Sequence, residues 1–429
     1  MARGLVPSFH LAAKPLTRLE FARLLVEARQ AAEHVSLGDA DRQALDLLAA
    51  EFEPEIAALP NAGSAARSAV GVEVHGGAGP EPTLTTHPAS APGGTATVTL
   101  SVPFGDVVFD TAVGRADPAL QRGYLSARLG TVDLQVGRDS LWWGPGTRGA
   151  LLLSDNAGPL DLVKVGFETP NIRYTKFAAQ LGQPDPYLSG IRIDWAITDR
   201  ARLGVAETIL IFSGPELFTA FVRPIPLPIV WGGNYLASVD FDYLARPGLL
   251  LYGELMIDDI HYPVPDEPTQ WGFLAGLHLA DPFRDGRTDL RIEYARVYNW
   301  TYSHLDPDLH YRYRGRSLGH WLGPDGDDLS ITLSRPLGGS GVLRVWTAVT
   351  RHGEGRLGVY WTTPSQGWAE YFLVGVVETR YSLGVAWERR APALSYGVSA
   401  EVSYVVNRDN VIGDDGWDAF IGVRFAQIW

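Results

Sequence analysis

From about residue 96 to its end, the chain is written in a two-residue rhythm. In 234–244, Tyr235, Ala237, Val239, Phe241 and Tyr243 alternate with Ser238, Asp240 and Asp242. In 289–294, Leu290, Ile292 and Tyr294 alternate with Asp289, Arg291 and Glu293. In 190–198, Ile191, Ile193, Trp195 and Ile197 oppose Arg192, Asp194 and Thr198. In 394–405, Leu394, Tyr396, Val398, Ala400, Val402 and Tyr404 oppose Ser395, Ser399, Glu401 and Ser403. A period of two puts each set on one face of a strand. The longer runs approach the roughly 9–11 residues that a tilted strand needs to cross hydrocarbon, whereas soluble strands average about 5–6. Charges of both signs share one face and cannot point at lipid cheaply, so they are expected to line a polar interior. The chain therefore reads as mainly β, a transmembrane antiparallel barrel of about 16–18 strands. A soluble β-sandwich or propeller is the alternative, but these runs are long for one and no blade-length repeat is present.

Composition supports this reading where it bears on it. No stretch reaches the run of about 18 apolar residues that a membrane helix requires, and mean hydropathy is near zero. Alternating strands cancel in such an average. The 13 Trp, 17 Tyr and 16 Phe suit interfacial girdles. Cysteine is absent, which removes disulfides and thiolate metal sites. A net charge of −13 argues against nucleic acid as a partner.

Three regions are expected. Residues 1–60 form a helical, periplasmic segment. Thr17 and Glu20 stand as a capping box ahead of Leu19, Ala22, Leu24, Leu25 and Ala28, and Asp39 as the cap of a second helix with Leu45, Leu48, Phe52 and Ile56 on one face. Two helices this small need a surface to pack on. Residues 61–95, rich in Gly, Ala, Ser, Thr and Pro, read as a linker or loop. Residues 96–429 are the barrel. Stretches 213–233, 299–326 and 362–370 are candidate extracellular or plugging loops. Ile421, Val423, Phe425 and Trp429 share a parity in the last strand, an ending like the assembly signal of outer-membrane barrels. The stretch from Met1 to Leu11 has Arg3 but no long apolar core, so an export signal is expected upstream of this sequence.

The most distinctive segment is Gly137-Arg138-Asp139-Ser140-Leu141-Trp142-Trp143-Gly144-Pro145-Gly146, followed by Gly149, Leu151, Leu153, Ser154, Asn156, Ala157 and Pro159. It resembles the signature of the capsule assembly Wzi family. That resemblance implies an 18-stranded outer-membrane lectin with an occluded pore, a periplasmic helical bundle and a polysaccharide partner. Trp rings stack on sugars, and Arg, Asp and Asn bond hydroxyls. Arg138, Asp139, Trp142, Trp143 and Asn156 are accordingly the candidate binding residues. A structural alternative stays open: the Trp pair could anchor an inward-folded loop, with Arg138 and Asp139 as a lumen ion pair. Trp231, Trp271, Trp300 and Trp321 read as girdle residues.

Other constellations point nowhere sharper. Gly315-Arg316-Ser317-Leu318-Gly319, beside His320 and not far from His310, matches a nucleophile pattern but lacks the helix that must follow it. Asp325, Asp327 and Asp328 read as solvated loop acids, as do Asp414 and Asp415; Asp258, Asp259 and His261 lack a second ligand pair. No catalytic residue, metal or cofactor is expected. Binding of exported polysaccharide leads, ahead of a porin-like channel and an outer-membrane hydrolase. The expected partners are polysaccharide, outer-membrane lipid and the barrel assembly machinery, around a monomeric barrel.

Overall fold

The computed structural model describes residues 2–6, 12–14, 16, 18–35, 37–57, 59, 68–78, 93–102, 105–114, 120–129, 131–182, 186–223, 233–259, 270–337, 340–360, 372–391 and 394–428. Eighteen antiparallel strands close into one barrel. In chain order they are β1 (Ser68–Ala78), β2 (Gly93–Val102), β3 (Gly105–Gly114), β4 (Leu120–Leu129), β5 (Val132–Asp139), β6 (Leu160–Glu168), β7 (Ile172–Gln180), β8 (Tyr187–Thr198) and β9 (Ala201–Ile211). They continue with β10 (Asn234–Arg246), β11 (Leu249–Asp259), β12 (Gln270–Ala280), β13 (Asp289–Val297), β14 (Gly326–Leu337), β15 (Gly341–His352), β16 (Glu378–Ala391), β17 (Leu394–Val406) and β18 (Gly416–Ile428). Each strand pairs with its neighbours in sequence. The ring closes where β1 meets β18, from Gly71 opposite Ile428 to Ala78 opposite Ile421.

This closure corrects the expected linker. Part of 61–95 is barrel: β1 lies within it and β2 begins in it. Val70, Val72 and Val74 do alternate there, among small residues that blur the pattern. The strand is needed because an open β18 would expose a row of unpaired backbone groups to lipid.

The two faces sort as the alternation requires. Val136, Trp195, Val205, Val239, Phe241, Leu255, Leu329, Leu383, Val398 and Val423 are exposed on the outer wall. Asp194, Asp240, Asp242, Glu254, Glu293, Asp328 and Glu401 are buried inside. Arg192 is fully enclosed, bonding Asp194 and Asp240, and Arg202 pairs with Asp242 at 2.6 Å. Paired charges in a sheltered lumen avoid the cost that lipid would impose. Exposed Trp195 and Tyr243 stand near one end of the wall, and exposed Tyr381 and Trp417 near the other.

Most hairpin turns at one end are two or three residues long. Among the connections at the other are 140–159, 212–233, 298–325 and 353–377. Short turns mark the periplasmic end of such barrels and long loops the extracellular end. The helices α1 (Arg18–Ala32), α2 (Asp39–Glu51) and α3 (Glu53–Ala57) sit at the short-turn end. Ala22, Leu25 and Phe52 pack together, with Phe21 and Phe52 rings 4.6 Å apart. Gly38, not Asp39, takes the cap position of α2, and Asp39 lies in its first turn. The bundle finds its surface on the turns: Arg23 pairs with Glu168 at 2.6 Å, Glu20 with Arg173, and Arg3 with Asp289 at 3.4 Å.

Candidate functional site

The signature segment leaves the top of β5 and folds into the barrel. Loop 140–159 carries Leu151, Leu152 and Leu153 into a core shared with Leu188, Leu210, Leu236, Met256 and Leu274 of the inner wall. Loop 298–325 joins it from the other side through Tyr302, Leu309, Tyr311 and Leu318.

Acids of the inner wall hold this plug by its backbone. Glu254 accepts the N–H groups of Leu151 and Leu152, each at 3.0 Å. Glu293 accepts those of Thr147 and Arg148, at 2.8 and 3.0 Å, and the Tyr252 hydroxyl at 2.7 Å. Arg148 forks onto Asp328 at 2.8 and 3.1 Å, and Thr350 adds a donor to Asp328 at 2.6 Å. Charge-assisted bonds of this kind are among the stronger ones available to a buried loop. The loops also hold one another. Tyr302 donates its hydroxyl to Leu151 O at 2.5 Å, and Ser154 donates to Gly319 O at 2.5 Å. Gly319 has no room for a side chain, since a Cβ would lie 2.3 Å from Leu151 O.

His320 is buried against Gly149, and burial, helped by Arg148, pushes its pKa down to about 3. The ring is therefore neutral. Its Nδ1 accepts the Leu322 N–H at 3.3 Å.

The plug is tied from below as well. Ala13 and Lys14 pair with Trp143 and Trp142, and Ala12 O accepts the Gly144 N–H at 2.7 Å. Residues 12–14 thus lie in the lumen and add a short strand to the loop.

The five candidate residues fall into different places. Arg138 and Asp139, adjacent on β5, point to opposite faces and form no lumen pair. Arg138 faces outward and bonds Asp161 at 2.7 and 2.5 Å. Asp139 faces inward, where Gln135 Nε2 at 2.8 Å and Ser140 N at 2.9 Å donate to it. Trp142 is buried, donates its indole N–H to Gly144 O at 3.0 Å and lies under the Lys14 ammonium. Trp143 is 1% exposed and meets Phe177 edge-to-face with ring centres 5.1 Å apart. Neither indole offers an open face for a sugar in this arrangement. Asn156 donates to Ser317 O at 2.9 Å and so joins the two loops.

Sequence reasoning missed the anchoring roles of Glu254, Arg148 and Tyr302. The signal it could have used is the run of lumen-facing acids on strands distant from the signature. Asp325, Asp327 and Asp328 are buried, not solvated. Asp325 collects the N–H groups of Gly355, Leu373 and Val374, while Asp327 binds Arg351. Of the Trp residues read as girdle, Trp271 does face outward, stacked on Tyr298 at 4.4 Å. Trp300 is buried and Trp321 packs on the plug core; Trp231, like His261 and loop 362–370, lies outside the described residues. Ser317 is buried, and its hydroxyl accepts the Gly319 N–H at 3.0 Å. Among the described residues, no group of three or more His, Asp and Glu is placed to hold a metal ion.

Above the plug stands a small hairpin in which Arg312 and Tyr313 pair with Ser317 and Arg316. Arg314 and Gly315, both at positive φ, make its turn. Tyr313 packs down onto the core, while Arg312, Arg314 and Arg316 are exposed.

A family model described as capsule assembly protein Wzi matches residues 39–211 and 232–409. Among solved structures, the chain is similar to an Escherichia coli protein described as Wzi, an outer membrane protein involved in group 1 capsule assembly and a carbohydrate-binding β-barrel. The TM-score is 0.72 at 17% identity, over 99% of this chain and 95% of that one. Pseudomonas aeruginosa OccK3 (OpdO) matches with a TM-score of 0.50 at 9% identity, over 85% of this chain and 95% of that one. At such identities the likeness is one of fold. Comparison with curated proteins finds no match.

Proposed function

We propose, from the premise that this chain belongs to the Wzi family of capsule assembly proteins, that it holds exported polysaccharide at the outer face of the bacterial outer membrane, without an open conduit and without chemical turnover. The observation that carries this reading is the plug. Loops 140–159 and 298–325 fill the lumen with apolar side chains and are fixed to wall acids. Such a barrel is built to present a fixed surface.

The exposed hairpin is the part of that surface we assign to the ligand. Arg312, Arg314 and Arg316 bring concentrated positive charge to the mouth of an acidic protein, which suits a polysaccharide bearing carboxylates. The Arg314 guanidinium lies over the Tyr313 ring, 5.0 Å from its centre, as part of the same presented edge. Of the signature residues, Arg138 at the rim and Asn156 beneath the hairpin contribute to this surface. Asp139, Trp142 and Trp143 serve it indirectly by keeping the plug in place. The helical segment is the periplasmic foot. The remaining partners under this reading are outer-membrane lipid and, during biogenesis, the barrel assembly machinery, around a monomer.

The test has two arms. The purified barrel should be silent in planar bilayers, and it should retain an acidic capsular polysaccharide on a glycan surface. Arg312→Glu combined with Arg314→Glu and Arg316→Glu should cut retention by about tenfold or more at low salt while leaving the barrel folded. Stepwise conductance of the native protein would instead favour a channel, and undiminished retention in the triple variant would move the ligand away from the hairpin.

A further inference from the structure

Segment 212–223 does not turn inward as 140–159 and 298–325 do. Its helix α4 (Gly214–Val222) lies on the outside of the wall, against β7, β8 and β9. Parity shows this. Leu188, Leu210 and Leu236 belong to the lumen core, whereas their neighbours Tyr187, Ile209, Ile211 and Tyr235 gather with Leu217 and Ala220 in a separate cluster. Successive strand residues face opposite sides, so that second cluster is on the exterior.

The helix also covers charge. Phe177 and Ala179 point into the lumen core, so Lys176 points outward; Glu207 does the same between Ala206 and Thr208. Outward charges at this height would be costly against lipid. Both are nevertheless buried, as is Arg223, which follows α4. Arg223 pairs with Glu207, and its carbonyl accepts from Lys176 Nζ.

The far side of α4 is apolar. Phe218 and Val222, one turn apart, are 67% and 55% exposed, and Phe212 beside them is 43% exposed. The Thr219 hydroxyl on this side is satisfied within the helix, donating to Pro215 O at 3.0 Å. In 212–233 the charged residues are Glu216 and Arg223, and 224–231 has none. A loop standing in water has no use for such a composition. Below the helix, the exposed face continues into Trp195, Ile197, Val205, Val239 and Phe241 of the lipid-facing band. The family model matches on both sides of this loop and does not extend over 212–231.

We propose that α4 is an interfacial membrane helix, which immerses Phe212, Phe218 and Val222 in the outer leaflet and seals Lys176, Glu207 and Arg223 from lipid. The occupant of its free face is acyl chain, reached by continuity with the band beneath it.

Because the chain has no cysteine, Phe218→Cys provides a single site for a bimane label. Phe241→Cys, in the band, and Ile412→Cys, 80% exposed in the β17–β18 loop, serve as references. Each labelled barrel is reconstituted into phosphatidylcholine vesicles carrying brominated acyl chains. The label at 218 should be quenched by the lipid to at least about half the extent seen at 241, and aqueous iodide should quench the label at 412 several-fold better than that at 218. Quenching at 218 that matches 412, with 241 still strongly quenched by lipid, would overturn the proposal: the barrel would be inserted and the helix in water. Protection of 218 from iodide without lipid quenching, accompanied by cross-linked dimers, would assign the face to a second copy and overturn it as well.

Discussion

Glu254 Oε2 accepts the backbone N–H of Leu151 at 3.0 Å, across 103 residues of sequence. The partner oxygen does the same for Leu152. A wall carboxylate thereby satisfies two loop donors that would otherwise be buried without acceptors, each at a cost of about 1–3 kcal/mol. Glu293 repeats the arrangement at Thr147 and Arg148. Replacing both, Glu254→Ala with Glu293→Ala, should leave the strands paired and release the loop. The expected outcome is ion conductance in planar bilayers where the native barrel shows none. A silent double variant would mean that the apolar packing of Leu151–Leu153 closes the pore unaided.

Arg148 and Asp328 are both buried and bonded through two nitrogens. Removing one member strands the other charge in the lumen, at about 3–5 kcal/mol. Asp328→Ala should therefore lower the urea midpoint of refolded barrel in detergent by more than the paired change Arg148→Met with Asp328→Leu. Equal losses would show that water reaches the pair.

Trp143 fills the space between Phe177 and the loop, and Gly190 is small because the indole lies against it. Trp143→Ala should cost about 3–5 kcal/mol, as truncations of large buried rings do. On heat-modifiability gels the folded band should fail at lower temperature, and polysaccharide retention should fall in step with folding. Retention lost while the folded band persists at full native stability would return Trp143 to the ligand.

His320 gives a pH signature. Its neutral form is the one the folded loop accepts, with a pKa pushed down to about 3 against an ordinary 6.5. Below 6.5 the unfolded chain takes up a proton that the folded chain refuses. Stability from this group is thus whole above 6.5 and drains as pH falls towards 3, by up to about 1.4 kcal/mol per pH unit. His320→Gln should flatten the fall in unfolding midpoint between pH 6 and pH 4. An unchanged slope would place the acid sensitivity in the carboxylates instead.

The barrel was legible because alternation encodes facing directly. The predicted lumen residues Arg192, Asp194, Asp240 and Glu293 are inside, and Val239, Phe241 and Val398 are outside. β1 was not legible, since its glycines and alanines carry little facing information and its role is set by the need of β18 for a partner. The signature marked a segment that the structure folds into the lumen core, and left its role open. Whether a Trp is a platform or a peg depends on what surrounds it, and for Trp143 that is Phe177, Gly190 and Leu153. Loop direction was hidden for the same reason: 140–159 goes inward because distant acids receive it, while 212–223 goes outward because Ile209 and Ile211 do.

The pairing of Ala13–Lys14 with Trp142–Trp143 imposes an order on biogenesis. A segment hydrogen-bonded inside a cylinder must be laid down before the cylinder is zipped, or be threaded through it afterwards. The seam between β1 and β18 joins strands that lie nearly the whole barrel sequence apart. Ala13 and Lys14 therefore either wait beside the unfinished wall until β18 wraps around them or enter the lumen after it has closed. Their deletion should act on the timing of assembly as much as on the finished barrel.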